Sequence, residues 1–164
     1  MTRAIGWDLG GANVKLASIE DGRVASVAQI PCPIVPERRK FDAAVEAALP
    51  LIALPALHAV TMTGELSDVF GDRAEGVAYL VDLMLEAVGA QPLLIYAGEA
   101  GFLGSEDAKR HTLEVASANW HATASWLPGT MLMDSSSMWA RRPPTSFRSK
   151  PEQLPPVAPP TPSA

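Results

Sequence analysis

The stretch Ile5–Lys15, IGWDLGGANVK, predicts a strand, a tight turn and a second strand. One apolar run ends at Asp8, the pair Gly10-Gly11 follows, and another apolar run begins at Leu16. Glycine permits the positive φ angles that many hairpin turns need, and it lets backbone N–H groups approach an anion closely. The simpler interpretation is an ordinary hairpin with a solvated aspartate. The alternative interpretation is a phosphate-binding turn. Residues elsewhere in the chain are needed to distinguish the two interpretations.

The composition is that of a globular protein. The chain has 164 residues, of which 48% are apolar, enough to bury a sizeable core. Its net charge of −5 argues against broad binding to nucleic acid. The one cysteine, Cys32, excludes an internal disulfide framework and fits a reducing compartment. Because the N-terminus lacks a long apolar segment and no run is long enough to span a bilayer, we expect a cytoplasmic protein that binds neither membranes nor nucleic acid.

Proline divides the chain into two parts. Of the 15 prolines, 8 lie from Pro143 onward, in a segment with almost no periodicity. Proline removes a backbone donor and disrupts helix and sheet interiors, so this segment cannot bury enough apolar surface to order itself. We therefore predict a folded domain over residues 1–127 and a proline-rich, disordered tail over residues 128–164.

The first half of the domain predicts three antiparallel strands, a helix and a fourth strand. The predicted elements are strands 3–9, 13–19 and 23–30, helix 41–54 and strand 58–63. Asp21-Gly22 is a tight turn of the kind found in hairpins. Pro50 predicts that the helix ends early or kinks.

The second half predicts alternating helices and strands. Asp72 and Glu75 fit a capping box, which begins a helix that Gly89 ends. Residues 92–96 form a short apolar strand, typical of a buried parallel position. One continuous helix is expected over residues 105–126, with Ser105 as its cap. The order β-β-β-α-β-α-β-α predicts the α/β class, with a mixed sheet in which βαβα units follow an antiparallel three-strand meander.

Acidic residues follow two of the predicted strands. Glu65 and Asp68 come after the fourth strand, and Glu99 comes after the fifth. Because ligands bind at the carboxyl ends of strands in open α/β sheets, these loops are candidates to line one cleft. The alternative is that the acidic residues begin helices, where the dipole favours them. Asn119 and His121 on the last helix are unusual, yet a lone histidine is more commonly structural.

The order of elements, with its first Asp-Leu-Gly-Gly turn, resembles the N-terminal lobe of the actin-like ATPase superfamily, which has a ribonuclease H-like fold. Five strings narrow this resemblance: IGWDLGGANVKLA, VTMTGELSDVF, DRAEGV, YAGEAGF and ASANWHATA. Together they are similar to the hydantoinase A/oxoprolinase family, in its branch of tetrahydromethanopterin-linked C1 transfer proteins. The five strings occur in the right order between residues 4 and 126, which makes the resemblance more specific than the turn alone.

The resemblance implies a transferase of methanofuran-type cofactor biosynthesis. Such an enzyme joins an aminomethylfuran-methyl diphosphate to the phenol of γ-glutamyltyramine and releases diphosphate, with Mg²⁺ as the implied metal. Backbone amides and cations offset the charge of the leaving group as its bond breaks. The implied residues are Asp8 (also the metal ligand), Lys15 and His121 for catalysis, Gly10, Gly11 and Asn13 for phosphate, and Glu65, Asp68, Glu99 and Asn119 for the remaining substrate.

One segment departs from the family. Its members are considerably longer and have a second glycine-rich turn, Asp-Val/Ile-Gly-Ser-Thr-Thr-Thr-Asp, soon after the ANWHATA helix. Residues 134–147, DSSSMWARRPPTSF, stand in that place. Methionine and tryptophan each have a single codon, so reading Met138-Trp139 one base earlier forces Val-Gly, and the neighbouring codons permit the rest of the motif. We therefore predict that residues 127–164 come from a shifted reading frame.

The missing turn bears on activity. In this superfamily the ligand lies between two lobes that each supply one glycine turn, and a displacement of about 1 Å already impairs catalysis, so we expect this chain to be inactive. Two alternatives stay open. An ATP-dependent hydantoinase- or oxoprolinase-like hydrolase, or a kinase, would use the same turn to bind ATP. A non-enzymatic fragment would present its proline-rich tail to SH3-like domains.

Overall fold

The computed structural model describes residues 2–126, all of which fall within one compact unit. The predictions for the tail and its reading frame lie outside these residues. The strands are β1 (Arg3–Leu9), β2 (Asn13–Glu20), β3 (Arg23–Pro31), β4 (Leu57–Met62), β5 (Leu93–Tyr96) and β6 (Phe102–Leu103). The helices are α1 (Lys40–Ala48), α2 (Arg73–Val88), α3 (Ser105–Arg110), α4 (Thr112–Val115) and α5 (Asn119–Trp126).

The strands form a six-stranded mixed sheet in the order β3-β2-β1-β4-β5-β6. The pairs β1–β2 and β2–β3 are antiparallel, which confirms the predicted meander. The pairs β1–β4 and β4–β5 are parallel, and β6 adds an antiparallel edge. The carboxyl ends of β1, β4 and β5 therefore meet at one edge of the sheet.

The two faces of the sheet differ in burial. Side chains alternate along β1, so that Ile5, Trp7 and Leu9 are buried while Gly6 and Asp8 face the other way. The buried face forms one hydrophobic cluster with the apolar stripes of α1 and α2. Because the core lies on this side, the opposite face is the one that is open to a ligand.

A tryptophan–histidine pair lies inside the core. The Trp7 indole donates a hydrogen bond of 3.0 Å to Nδ1 of His58, and the two rings stack. Nδ1 accepts this proton only in the neutral tautomer that carries hydrogen on Nε2. Burial lowers the pKa of His58, so the pair is a structural feature of the core.

The middle helices follow their local signals. α1 ends at Ala48, and a single 3₁₀ turn over Leu49–Leu51 contains Pro50, which explains the early end. The Asp72 side chain accepts from the amide of Glu75 at 2.8 Å and caps α2. The Glu75 carboxylate bonds back to the amide of Gly71 rather than to that of Asp72. Gly89 ends the helix with φ 60°.

The predicted continuous last helix is wrong. Residues 105–126 form three short helices, and α3 has Gly104 in the capping position without a side-chain cap, so Ser105 is not the cap. The chain breaks where His111 leaves helical geometry and where Ser117 has φ +57°. Leu113 is 78% exposed and Trp120 is 67% exposed, so these two large apolar side chains do not pack into the core. Among residues 2–126, no helix is long and apolar enough to cross a bilayer.

Candidate functional site

The turn between β1 and β2 is held from both sides. The amide of Gly10 donates to the carbonyl of Asn13 at 3.1 Å, and the carbonyls of Gly11 and Ala12 accept from the amides of Ile34 and Cys32 at 3.2 and 2.8 Å. Both carbonyls are therefore engaged by the segment after β3. Within the described part of the chain, the amides of Gly11 and Ala12 donate to no acceptor. Two adjacent N–H donors are thus free for an anion.

The reason for glycine in this turn differs from the prediction. Neither Gly10 nor Gly11 has a positive φ, whereas Asp21 and Gly22 in the next turn both do. A Cβ on Gly10 would lie only 3.0 Å from the carbonyl oxygen of Asn13. Glycine is therefore required at position 10 by a close backbone approach, and the positive φ angles belong to the second hairpin.

Asp8 and Lys15 are direct cross-strand neighbours on the open face. The register places them opposite each other, and Lys15 Nζ lies 3.1 Å from Asp8 Oδ2. The carboxylate is partly exposed and the ammonium more so. The other carboxylate atom, Oδ1, is buried and has no hydrogen-bond partner in residues 2–126. The pair therefore offers a movable cation and one unused carboxylate oxygen.

Polar side chains continue across the open face of the sheet, from Asp8 on β1 to β4 and β5. Thr61 of β4 lies opposite Asp8, and its hydroxyl donates to the carbonyl of Trp7 at 3.3 Å. Tyr96 follows Ile95, which pairs with Val60, so Tyr96 lies beside Thr61 on the same face. Adjacent strands are about 4.8 Å apart, so Tyr96 lies on the order of 10 Å from Asp8 across two strands.

Tyr96 contacts the predicted catalytic histidine. Its hydroxyl lies 2.8 Å from Nδ1 of His121, and the hydroxyl of Ser125 lies 3.2 Å from the same nitrogen. The Ser125 hydroxyl also donates to the carbonyl of His121 at 2.7 Å. Since that hydroxyl has one proton, Tyr96 is the better placed donor to the imidazole.

One pocket of about 830 Å³ lies on this face of the sheet. Asp8 and Lys15 line it, as do Thr61, Tyr96 and Ser125. Its floor consists of small residues of three neighbouring strands, namely Gly6, Ala17 and Ala59, and Phe102 and Ala122 belong to its wall. The pocket therefore combines a charged end, a flat apolar floor and a neutral polar end, which suits a ligand with a charged group on a planar ring.

Of the predicted site residues, Asp8 and Lys15 line this pocket, and the others lie outside its lining, namely Gly10, Gly11, Asn13, Glu65, Asp68, Glu99, Asn119 and His121. Glu65 is 1% exposed, and its Oε1 accepts from the amide and hydroxyl of Ser117 at 2.9 and 3.4 Å. Burial raises the pKa of Glu65, against the lowering effects of the hydrogen bonds and of Arg73. Asp68 and Glu99 are exposed. Asn119 begins α5, where its Oδ1 accepts from the amide of the next residue at 2.8 Å.

No preformed metal cage exists in the described chain. No group of three His, Cys, Asp or Glu side chains converges within residues 2–126. Asp8 is the one carboxylate among the residues that line the large pocket. Mg²⁺ commonly keeps several waters and binds through one or two carboxylates together with substrate phosphates. The unused Asp8 Oδ1 therefore fits a metal that arrives with a phosphate group.

Tyr96, Thr61 and Ser125 are not among the site residues predicted from the sequence. Tyr96 belongs to a predicted apolar strand, and its position at the carboxyl end of that strand is the signal that could identify it. Thr61 has the same side-chain direction as Asp8 because the two strands are parallel and in register. Ser125 depends on the orientation of α5, which no local pattern gave.

Fold and site together define an α/β domain whose open sheet face ends at the glycine turn between β1 and β2. No family model matches the chain. A curated protein of Methanocaldococcus jannaschii, (4-{4-[2-(gamma-L-glutamylamino)ethyl]phenoxymethyl}furan-2-yl)methanamine synthase, is 31% identical over 123 residues. The match covers 75% of this chain and 36% of the relative, so the chain spans about a third of that protein's length.

Proposed function

We propose that the chain is part of a synthase of the same type, within the hydantoinase A/oxoprolinase family, and that residues 1–127 fold as an actin-like ATPase N-terminal lobe. Two findings support this proposal: the similarity to the archaeal synthase, and a sheet in which an antiparallel meander precedes parallel βαβ units. The observation that carries it is the row of Lys15, Asp8 and Thr61 beside two unpaired turn amides.

The proposed reaction forms an aryl ether. The relative's name describes a product in which a phenoxymethyl group joins the two halves. In the reaction that we propose for the complete protein, the phenol oxygen of γ-glutamyltyramine bonds to the methylene carbon of an aminomethylfuran-methyl diphosphate. The carbon–oxygen bond to diphosphate breaks, diphosphate departs with the electron pair, and the phenolic proton passes to a base.

The diphosphate would extend from the charged end of the pocket, formed by Asp8 and Lys15, to the turn between β1 and β2 beyond the pocket lining. The amides of Gly11 and Ala12 would donate to its oxygens, and Lys15 would turn from Asp8 to the leaving group. Gly10 and Asn13 would shape the turn that presents those amides. Mg²⁺, held through the free oxygen of Asp8, would supply charge neutralisation of the leaving diphosphate. These donors match the charge that develops as the bond breaks.

The phenol would occupy the neutral end. Its oxygen would meet the hydroxyl of Tyr96, which is already bonded to Nδ1 of His121. The phenolic proton would move to the tyrosine oxygen while the tyrosine proton moves to the imidazole. The flat floor of small residues between the two ends would support the rings. Asp68, Glu99 and Asn119 stay predictions for substrate groups that extend beyond the pocket.

The test is an assay of the protein translated from the gene with the predicted reading frame restored, beside the 164-residue chain. We expect the restored protein to form the ether from the two substrates without ATP, with one diphosphate released per ether. We expect the 164-residue chain to form none. A restored protein that opens a cyclic amide only with ATP would establish the hydrolase alternative and overturn the proposal. Because the proposed substrates are small polar molecules, we also propose that the enzyme is cytoplasmic.

A further inference from the structure

A buried carboxylate connects two distant parts of the chain. Glu65 follows β4 in a single 3₁₀ turn over Gly64–Leu66, and Ser117 precedes α5, yet Glu65 Oε1 lies 2.9 Å from the Ser117 amide. Ser117 has φ +57°, a left-handed conformation that residues other than glycine, asparagine and aspartate rarely adopt. A conformation of this kind persists when surrounding contacts impose it. The carboxylate supplies such a contact.

Glu65 is closely packed, and the segment that carries it is hydrogen-bonded to the end of β1. The amide of Thr63 donates to the carbonyl of Leu9, the residue after Asp8, at 3.1 Å. A Cβ on Gly64 would overlap the buried ring of Phe41. A Cβ on Gly76 of α2 would lie 2.7 Å from Glu65 Cα, so the helix backbone lies directly against this residue. The position of Glu65 is thus fixed relative to β1.

Ser117 lies two residues before the start of α5. Asn119 is the first residue of α5, two residues later, and the amide of Ala122 bonds to the carbonyl of Ala118 at 3.1 Å. His121 lies in the first turn of this helix, where it meets Tyr96. A change in the conformation of Ser117 would therefore rotate the helix that carries His121.

We propose that Glu65 is a positioning residue: its carboxylate fixes the turn at Ser117 and thereby places His121 against Tyr96. The carboxylate itself is buried, and Glu65 is not among the residues that line the pocket. The catalytic importance of the contact between Tyr96 and His121 rests on the proposed function, but the positioning itself does not. It needs no substrate, so its test is independent of whether the ether reaction occurs.

The experiment compares NMR spectra of the full chain with those of two variants at position 65. Glu65→Gln keeps an oxygen for the Ser117 amide, whereas Glu65→Met has similar length and no acceptor. We expect nuclear Overhauser contacts between the Tyr96 and His121 rings in the wild type and in Glu65→Gln, and their loss in Glu65→Met. Val45→Ala, a buried change in α1, controls for general destabilisation and should keep the contacts. Persistence of the contacts in a folded Glu65→Met variant would overturn the proposal.

A second measurement needs no variant, in case Glu65→Met does not fold. The Ser117 amide of the wild type should show a downfield proton shift and slow hydrogen exchange, because it donates to a buried carboxylate. Its shift should follow one ionisation above the ordinary glutamate range, with Arg73 as the charged group that acts on Glu65. A freely exchanging Ser117 amide whose shift is independent of pH in that range would contradict the proposed contact.

Discussion

Replacing Gly76 with alanine should destabilise the domain although alanine is the better helix former. The change Gly76→Ala gains about 1 kcal/mol of helix propensity. The new Cβ, however, would lie 2.7 Å from Cα, 2.8 Å from Cβ and 2.8 Å from the carbonyl oxygen of Glu65. Carbon atoms pack best at about 3.5 Å or more, so α2 has to move by about 0.8 Å. Overpacking of this kind costs about 1–3 kcal/mol, and here backbone atoms that cannot rotate away are involved.

Because backbone atoms are involved, we expect a cost in the upper part of that range, about 2–3 kcal/mol, and subtracting the gain of about 1 kcal/mol leaves a net loss of about 1–2 kcal/mol in the free energy of unfolding. For a domain of this size, that loss corresponds to a decrease of about 3–12 °C in Tm. Urea and thermal unfolding followed by circular dichroism measure it. Gly6→Ala is the matched control, because a Cβ there meets no atom within 4 Å. It should leave stability unchanged or slightly raised. A Gly76→Ala variant that is as stable as the wild type or more stable would refute the close approach between α2 and Glu65.

Three further outcomes test other parts of the account. Asp72→Ala should lower the free energy of unfolding by about 1 kcal/mol in urea titrations, because the side chain caps α2, whereas exposed Asp68→Ala should change it by less than about 0.5 kcal/mol. Because the pKa of Glu65 is raised in the folded protein, the folded protein binds this proton more tightly than the unfolded chain does. The protonated Glu65 therefore contributes stability that is fully present below pH 4.5 and is lost as pH rises through the raised pKa. Glu65→Gln should therefore gain stability relative to wild type across that window in urea titrations at successive pH values, and a constant difference would contradict the raised pKa. Sequencing the gene through the codons of Met138 and Trp139 should give the glycine-rich motif one base earlier, and codons that do not spell it would exclude the shifted frame.

Local patterns predicted the first two thirds of the fold. The hairpin followed from Asp8, Gly10 and the flanking apolar runs, and α2 followed from its capping box and from Gly89. Such features depend on residues a few positions apart, so they can be read from the sequence alone. The two-residue β6 is too short to have a pattern of its own.

The prediction for the last helices was wrong because their geometry depends on a contact between residues that are distant in the sequence. The left-handed conformation of Ser117 accompanies a bond to a carboxylate 52 positions away in the chain. A sequence window around Ser117 contains only helix-compatible residues, so it predicts a continuous helix. The contact between Tyr96 and His121 is likewise a product of tertiary structure. By contrast, the Asp8–Lys15 pair could be expected once the hairpin register was known.

The affinity of the chain for diphosphate in the presence of Mg²⁺, measured by titration calorimetry, tests the central claim most directly. Removal of a charge-assisted hydrogen bond weakens binding by about 1.5–3 kcal/mol, so Lys15→Met should raise the Kd by about 10-fold or more. Lys109→Met, on α3 and paired with Asp82, is the matched control and should bind like the wild type. The account predicts saturable binding that depends on Lys15 and is no weaker than binding of a non-hydrolysable ATP analogue. Absence of diphosphate binding, or equal affinities for the two lysine variants, would contradict it.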